Sequence, residues 1–292
     1  MIELCQLTRH FGTTCAVDSL SFAVQAGEVF GFIGPNGAGK TTSMRILATL
    51  DVPTRGTARV DGFSVVDDPD RVRRRLGFMP DNYGTYDRVN CEEYLDFFAR
   101  AYGLRGNERR RALRRTMGFT QLDRLAQKPI SGLSKGMRQR LCLGRALIHD
   151  PSVLILDEPA AGLDPRARIE LREMILELAN EGKSLLVSSH ILTELAEICN
   201  RVAIIEQGRL LALGSVDEIL SGSMSIEGQT ESTQKTQLQV TVLGDLGAAR
   251  RWLVETKQIE LLKENDTSKG VKIGNPQNTI LFTFSDDETA RS

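Results

Sequence analysis

A glycine-rich run between residues 34 and 41 is the clearest candidate for chemistry in this sequence. Its residues, Gly-Pro-Asn-Gly-Ala-Gly-Lys-Thr, fit the pattern GxxxxGK[ST]. The run follows an apolar segment with the pattern of a strand, Val29–Ile33, and begins a segment with helical spacing that extends to about Leu50. Glycines allow backbone N–H groups to approach phosphate oxygens, and a helix N-terminus adds a positive dipole end. The combination of strand, loop and helix predicts a nucleoside triphosphate site.

Three side chains in this loop have distinct expected contacts. We expect Lys40 to reach the β and γ phosphates, Thr41 to supply a hydroxyl to Mg²⁺, and Thr42 to donate a hydrogen bond to phosphate. A glycine-rich turn with an accidental Lys-Thr pair is the alternative, and the strand and helix on either side weigh against it. The other residues expected to surround the phosphates are Gly34, Pro35, Asn36, Gly37, Ala38 and Gly39.

An acidic pair, Asp157 and Glu158, follows a second apolar run at residues 153–156. A strand ending there would place the pair at the carboxyl edge of a parallel sheet, where folds of this kind bind ligands. We expect Asp157 to hold Mg²⁺ through a water molecule and Glu158 to polarise the water that attacks the γ phosphate. Two acids after a strand are common in any protein, but their combination with the phosphate loop favours a hydrolytic site.

Alternating strands and helices must position these residues. Strand patterns at 20–24, 29–33, 153–157 and 185–188 alternate with helical patterns at 166–180 and 192–199. This alternation predicts an α/β layer with buried parallel strands. Between about Cys91 and Arg145 the spacing is helical, which predicts an inserted helical subdomain at about 85–150.

The composition changes after Leu220. Residues 221–236 are polar and poor in large apolar residues, which is typical of a linker between a first domain, 1–220, and a C-terminal module, 237–292. In this module we expect strands at 238–243, 259–263 and 279–284 and a helix at 246–255, a small α+β arrangement. Because the chain stops soon after the last strand, we expect the module to be incomplete.

Composition excludes several classes of protein. The formal charge of the 292 residues is -1, which gives no reason to expect bulk attraction to nucleic acid or to an acidic membrane. Five scattered cysteines without a CxxC pair argue against a disulfide framework or structural zinc and favour a reducing compartment. No secretory signal or spanning segment is evident, so we expect a cytosolic chain that reaches a membrane through a partner. The basic stretch 105–115 is expected to be a solvated helical face rather than a docking surface.

Residues 2–220 resemble the ATP-binding subunits of ATP-binding cassette (ABC) transporters. The run Leu133-Ser134-Lys135-Gly136-Met137 resembles the signature motif of that family, although Lys135 and Met137 stand where Gly and Gln are usual. Ser134 is predicted to cap the helix that follows, which allows its hydroxyl and the helix N-terminus to hold an anion. The resemblance implies that Ser134, Lys135 and Gly136 bind the γ phosphate of ATP held by a second copy, so that two chains enclose two ATP molecules head to tail.

Further positions acquire expected roles from the resemblance alone. His190 matches the histidine that contacts the γ phosphate and the opposite subunit, and residues 161–164 resemble the loop that aligns the dimer. Phe11 lies where the family stacks an aromatic ring on adenine, with an ordinary core residue as the alternative. Asp81 stands near the position of a Gln that contacts Mg²⁺ and the attacking water. An ionised Asp can ligate the cation, but it has no N–H to donate.

The resemblance also implies a fold, an activity and partners. The expected fold is a phosphate-loop ABC ATPase core with an antiparallel β subdomain and the helical insertion. The single cassette, the signature wording and the C-terminal module most resemble ATP-hydrolysing subunits of ABC-2 type exporters, with ATP and Mg²⁺ as cofactors. Such a subunit works as a homodimer, or as a cassette pair, on a separate membrane permease at the cytoplasmic face, and no nucleic acid is expected. The alternative is a soluble ABC ATPase that acts on ribosomes or DNA.

Overall fold

The computed structural model describes residues 1–81, Gly84, 88–220, 236–241 and 279–284. Residue contacts divide the chain into two units, Met1–Ile226 and Glu227–Ser292. The division at a 221–236 linker stays a prediction, since residues 221–235 lie outside the described ones.

Within the part of the first unit that the structure describes, ten strands form two sheets. The strands are β1 (Ile2–Phe11), β2 (Thr14–Val24), β3 (Val29–Ile33), β4 (Arg55–Val60), β5 (Phe63–Ser64), β6 (Leu76–Met79), β7 (Val153–Leu156), β8 (Ser184–Ser189), β9 (Arg201–Glu206) and β10 (Arg209–Ser215). The six-stranded sheet has the order β10-β9-β3-β8-β7-β6, and the four-stranded sheet has the order β2-β1-β4-β5.

In the described residues of the first unit, eight α-helices connect and cover these strands. They are α1 (Lys40–Leu47), α2 (Pro69–Arg75), α3 (Cys91–Ala101), α4 (Gly106–Phe119), α5 (Lys135–Leu147), α6 (Pro165–Asn180), α7 (Leu192–Ala196) and α8 (Val216–Leu220). None of the helices in the described part of the chain has the length and apolar character needed to cross a membrane.

The six-stranded sheet is the α/β layer that the sequence predicts. Strands β9, β3, β8, β7 and β6 pair in parallel, and only β10 runs antiparallel at one edge. Every residue of β3, β7 and β8 is buried, which is the expected state of a parallel strand covered on both faces. The buried apolar runs therefore place the segments that follow β3, β7 and β8 at one carboxyl edge.

The four-stranded sheet is antiparallel throughout and shares a core with the first sheet. The Phe22 ring of β2 stacks on the Phe30 ring of β3 with centroids 5.1 Å apart. Met44 and Ile46 of α1 are fully buried in the same cluster. The antiparallel subdomain implied by the resemblance is thus present, and it packs on the helix that carries the phosphate loop.

Helices α3, α4 and α5 form the helical insertion between β6 and β7. They enclose their own core, and Asn90 begins α3 with a capping box in which Glu93 closes the reciprocal bond. Helix α5 belongs to two cores, because Leu141 faces the insertion while Leu143 and Leu147 face the six-stranded sheet. The prediction of an inserted helical subdomain is confirmed.

Some helix ends differ from the sequence prediction. The first helix ends at Leu47 rather than about Leu50, because Thr49 has a left-handed backbone (φ 59°) that stops helix propagation. The helix predicted at 192–199 ends at Ala196. There the chain turns into β9, and the amide of Asn200 donates to the carbonyl of Val29 at 3.1 Å.

Two described strands of the C-terminal unit, β11 (Thr236–Thr241) and β12 (Thr279–Phe284), pair antiparallel. The strand predicted at 279–284 is confirmed. The strand predicted at 238–243 begins two residues earlier, so Thr236 is part of a strand and not of a linker. The helix expected at 246–255 and the strand expected at 259–263 lie outside the described residues.

Candidate functional site

The phosphate loop connects the end of β3 to the start of α1, as its sequence predicts. Gly39 precedes the helix with φ 101°, a conformation that L side chains rarely adopt. A Cβ atom at this position would lie 2.4 Å from the carbonyl oxygen of Ala16. The third glycine of the motif is therefore required both by its backbone angle and by the closeness of β2.

Lys40 is buried at the centre of this loop, with 5% of its surface exposed. Its ammonium group donates to the carbonyl of Gly34 at 2.5 Å and to that of Pro35 at 3.3 Å. The same nitrogen lies 3.3 Å from Oε1 of Glu158. The structure thus joins the phosphate loop to the acidic pair that follows β7.

Asp157 is fully buried at the carboxyl end of β7. Its Oδ2 accepts a hydrogen bond from the Thr41 hydroxyl at 2.8 Å, and its Oδ1 accepts one from the Ser188 hydroxyl at 2.7 Å. Burial raises the pKa of the Asp157 carboxyl, while the hydrogen bonds from Ser188 and Thr41 oppose that rise. The carboxylate and hydroxyl oxygens are ligand types that Mg²⁺ prefers.

Glu158 occupies a strained position directly after Asp157. Its backbone is left-handed (φ 47°), and its amide donates to the Ser188 hydroxyl at 2.8 Å. Its carboxylate Oε2 lies 2.9 Å from Nδ1 of His190, whose side chain is about half exposed. The structure brings Lys40, Glu158 and His190 together.

Most of the predicted nucleotide-site residues line one pocket. Asp81 belongs to this pocket, and its charge acts on the carboxyl of Asp157. Within the described residues no group of three His, Cys, Asp or Glu is arranged to hold a metal by itself. The Thr41 hydroxyl and the Asp157 carboxylate therefore fit a Mg²⁺ ion that takes its remaining ligands from phosphate and water. The predicted residues that line the pocket are Pro35, Asn36, Gly37, Ala38, Gly39, Lys40, Thr41, Thr42, Asp81 and Glu158.

The signature residues lie on a different element, at the start of α5. The Ser134 hydroxyl accepts a hydrogen bond from the amide of Met137 at 3.3 Å, so the predicted N-cap is present. Ser134 and Lys135 are exposed, and Gly136 is so close to α6 that a Cβ would lie 2.9 Å from the Cβ of Ala167. These residues do not line the phosphate-loop pocket of their own chain.

Phe11 ends β1 with 47% of its surface exposed, which excludes the alternative of an ordinary core residue. The guanidinium carbon of Arg9 lies 4.4 Å from the centroid of its ring. Phe11 is not among the residues that line the phosphate-loop pocket.

Ser188 is a site residue that sequence reasoning missed. It is fully buried, donates to Asp157 and accepts from the amide of Glu158. Its position follows from the parallel pairing of β7 and β8, in which Leu156 lies opposite Val187. The two strands therefore reach the carboxyl edge of the sheet at the same level. The signal available in the sequence was a serine two residues before His190 at the end of an apolar strand.

Comparison with known proteins also supports a nucleoside triphosphate site in this chain. The sequence model described as ABC transporter matches residues 17–161. The ABC transporter ATP-binding protein NatA of Bacillus subtilis is 36% identical over 230 residues, which cover 77% of this chain and 94% of that protein. The chain belongs to the ABC transporter family. It is an ATP-binding ATPase cassette, and its cofactors are ATP and Mg²⁺.

Other relatives of this cassette carry names that refer to transport. The Nod factor export ATP-binding protein I of Ralstonia nicotianae is 37% identical over 215 residues, covering 74% of this chain and 67% of that protein. The probable multidrug ABC transporter ATP-binding protein YbhF of Escherichia coli is 35% identical over 240 residues, or 82% of this chain. The chain spans only 41% of the length of YbhF.

Among solved structures, the cassette is similar to the dimeric structure of MJ0796, a bacterial ABC transporter cassette. The TM-score is 0.67 at 25% sequence identity, and the match covers 74% of this chain and 99% of that one. The similar region corresponds in extent to the cassette rather than to the whole chain.

Proposed function

We propose that this chain is the ATP-hydrolysing subunit of an ABC-2 type exporter and works on a separate membrane permease. In this proposal residues 1–220 form the cassette, 221–235 a linker and 236–292 an accessory module, since Thr236 already belongs to β11. The chain acts as a homodimer, or as one member of a cassette pair, on the cytoplasmic face of the membrane.

The observation that carries the proposal is the convergence of four side chains at the edge of the six-stranded sheet. Thr41 and Asp157 supply oxygen ligands for Mg²⁺, with 2.8 Å between the hydroxyl and the carboxylate. Lys40 supplies the positive charge for the β and γ phosphates. Glu158 has one carboxylate oxygen on Lys40 and the other on His190, a position from which it can orient a water for attack on the γ phosphate.

Dimer formation completes the site in this proposal. Ser134, Lys135 and Gly136 do not line the phosphate-loop pocket of their own chain, yet they present a capped, exposed helix N-terminus that suits an anion. A head-to-tail arrangement would place this N-terminus on the γ phosphate held by the partner copy. The likeness to a dimeric cassette supports that arrangement.

Asp81 is proposed to touch the bound cation or its water. It lines the pocket that holds Lys40 and Thr41. An ionised carboxylate accepts hydrogen bonds and ligates cations, whereas the amide of Gln also donates. We therefore propose that Asp81 gives this site a different metal preference from a site that carries Gln. We also propose that Phe11 stacks on the adenine ring.

The export role rests on the relatives. Nod factor export ATP-binding protein I has export in its name, and YbhF is named as a probable multidrug transporter subunit. No helix in the described residues is suited to span a membrane, so a cassette with this role requires spanning segments outside the described part of the chain. We propose that a second polypeptide supplies them.

The experiment is a pull-down of the tagged chain from detergent-solubilised membranes of its own organism, followed by mass spectrometry. Glu158→Gln is expected to keep two copies together around unhydrolysed ATP. Lys40→Ala, which is expected to bind no nucleotide, is the control. A multispanning protein enriched with Glu158→Gln over Lys40→Ala is the expected result. Ribosomal or DNA-repair proteins without a membrane protein would overturn the exporter role in favour of a soluble ABC ATPase.

A further inference from the structure

A chain of polar contacts connects the 161–164 loop to the turn that carries His190. The loop leads into α6, where Asp164 caps the helix by accepting from the amide of Ala167 at 2.9 Å. On the first turn of α6, Arg168 donates from Nη2 back to the carbonyl of Leu163 at 3.4 Å. Arg168 is thus attached to the loop that precedes its own helix.

The same guanidinium group reaches the segment that follows β8. Nη1 of Arg168 lies 3.3 Å from Oε1 of Glu194, the third residue of α7. The other carboxylate oxygen of Glu194 accepts a hydrogen bond from the hydroxyl of Ser189 at 3.0 Å. That hydroxyl in turn accepts from the amide of Ile191 at 3.0 Å. Bonds to Ser189 and Ile191 therefore brace His190 from both sides.

The braced turn also contacts the phosphate loop directly. The amide of Gly34 donates to the carbonyl of Ser189 at 3.4 Å. His190 itself lies 2.9 Å from Glu158. A shift of the Ser189 backbone would therefore move Gly34, the first residue of the phosphate loop, and would change the His190–Glu158 contact.

We propose that Arg168 and Glu194 are positioning residues that link the 161–164 loop to His190. In this arrangement, pressure of a second copy on the loop moves Arg168, and Glu194 passes that movement through Ser189 to the turn. Through the Arg168–Glu194 pair, the position of His190 relative to Glu158 therefore depends on the partner copy. The inference rests on the proposed dimeric function and deepens it.

The chain contains a matched control for this proposal. Arg172 and Glu197 form a second ion pair between the same two segments, one helical turn further along α6. Within the described residues this second pair has no hydrogen bond to the 161–164 loop or to Ser189. If the pairs merely hold α7 to α6, both should have the same effect. If the proposal is correct, only Arg168–Glu194 affects the site.

The first test compares ATP hydrolysis by the full chain with either pair altered. Glu194→Gln and Arg168→Met are each expected to lower kcat about tenfold, with KM changed by less than about twofold. The double variant should be no slower than the slower single variant, because both changes break one link. Arg172→Met and Glu197→Gln should stay within about twofold of the unaltered chain.

The second test needs no nucleotide and no activity. The chain has three histidines, so histidine-labelled protein gives few ring resonances in an NMR spectrum, with His10 and His149 as internal references. Glu194→Gln and Arg168→Met are expected to shift the His190 resonances, and Glu197→Gln to leave them in place. Arg168→Met serves if Glu194→Gln does not fold.

Equal effects of the two pairs on kcat, or unmoved His190 resonances in both Glu194→Gln and Arg168→Met, would overturn the proposal. Absence of hydrolysis by the unaltered chain would instead contradict the proposed function. The NMR comparison would still decide whether the pair positions His190.

Discussion

At the scale of single residues, one hydroxyl group organises both acids of the site. Ser188 donates to the carboxylate of Asp157 and accepts from the amide of Glu158, and all of this happens in a fully buried position. The bond to the amide supports the left-handed backbone of Glu158, which is costly for a residue with a side chain. Ser188 therefore stabilises the geometry on which the proposed water attack depends.

Removal of this hydroxyl should be measurable as a loss of stability. Ser188→Ala leaves the Glu158 amide without its acceptor and one Asp157 oxygen without its donor, so the free energy of unfolding should fall by about 1–3 kcal/mol. The pKa of Asp157 should rise further, because the hydrogen bond from Ser188 now opposes the effect of burial. Urea denaturation measures the first effect. Ser188→Thr, which keeps the hydroxyl, should lose less stability, and equal losses for Ala and Thr would count against this role.

The site was predictable where its residues form a pattern along the chain. Lys40 and Thr41 belong to a contiguous motif, and Asp157 and Glu158 end an apolar strand. Ser188 and Glu194 were not predicted, because their partners lie about 30 residues away or on another helix. Only the parallel register of β7 and β8 and the packing of α7 against α6 bring these partners together.

At the scale of elements, the signature helix α5 lies against the edge strand β6 at a glycine. A Cβ atom on Gly77 would come within 2.3 Å of the carbonyl oxygen of Ala146 and 2.7 Å of a Leu154 methyl group. This close approach sets the position of α5, and therefore of Ser134 at its N-terminus, relative to the sheet. The glycine is required by space, not by its backbone angle.

Gly77→Ala is expected to destabilise the chain by about 1–3 kcal/mol, because the added methyl group forces backbone shifts in a well-packed core. Differential scanning fluorimetry would show the drop in melting temperature. Gly132→Ala, at a position where a Cβ would meet only the end of the Lys128 side chain at 3.5 Å, is the control and should change stability little. Equal melting temperatures for the two variants would contradict the packing argument.

The elements that the sequence predicted are those with a regular apolar pattern. The buried parallel strands β3, β7 and β8 are contiguous apolar runs, and α6 has its apolar residues on one face. Strand β1 was not predicted as an element. Its pairing with β2 shifts register at three places, which interrupts the alternation that marks a strand.

At the scale of the whole molecule, His149 joins the insertion to the sheet. Its Nε2 lies 3.1 Å from the carbonyl of Leu76, and its ring stacks on Tyr102 with centroids 3.7 Å apart. Burial lowers the pKa of His149 from 6.5 to about 4. The folded state therefore favours the neutral ring.

This shift predicts a loss of stability in mild acid. The pKa of His149 is lower in the folded state than in the unfolded state, so its contribution to the free energy of unfolding is complete above about pH 6.5. This contribution is lost as the pH falls toward about 4, and the maximum loss is about 3 kcal/mol. Urea unfolding at several pH values over this range measures the slope. His149→Gln keeps a donor but cannot titrate, so its stability should fall less steeply. Identical slopes would show that His149 does not contribute.

The central claim is that two copies of this cassette enclose MgATP and that Glu158 enables its hydrolysis. The most direct measurement is the molar mass of purified Glu158→Gln by size-exclusion chromatography with light scattering, with and without MgATP, beside its ATPase rate. Hydrolysis should fall at least about a hundredfold, since the group that orients the water is neutralised. Binding should persist, and the mass should double with MgATP. A Glu158→Gln chain that binds ATP but stays monomeric, or that still hydrolyses it at the original rate, would contradict the account.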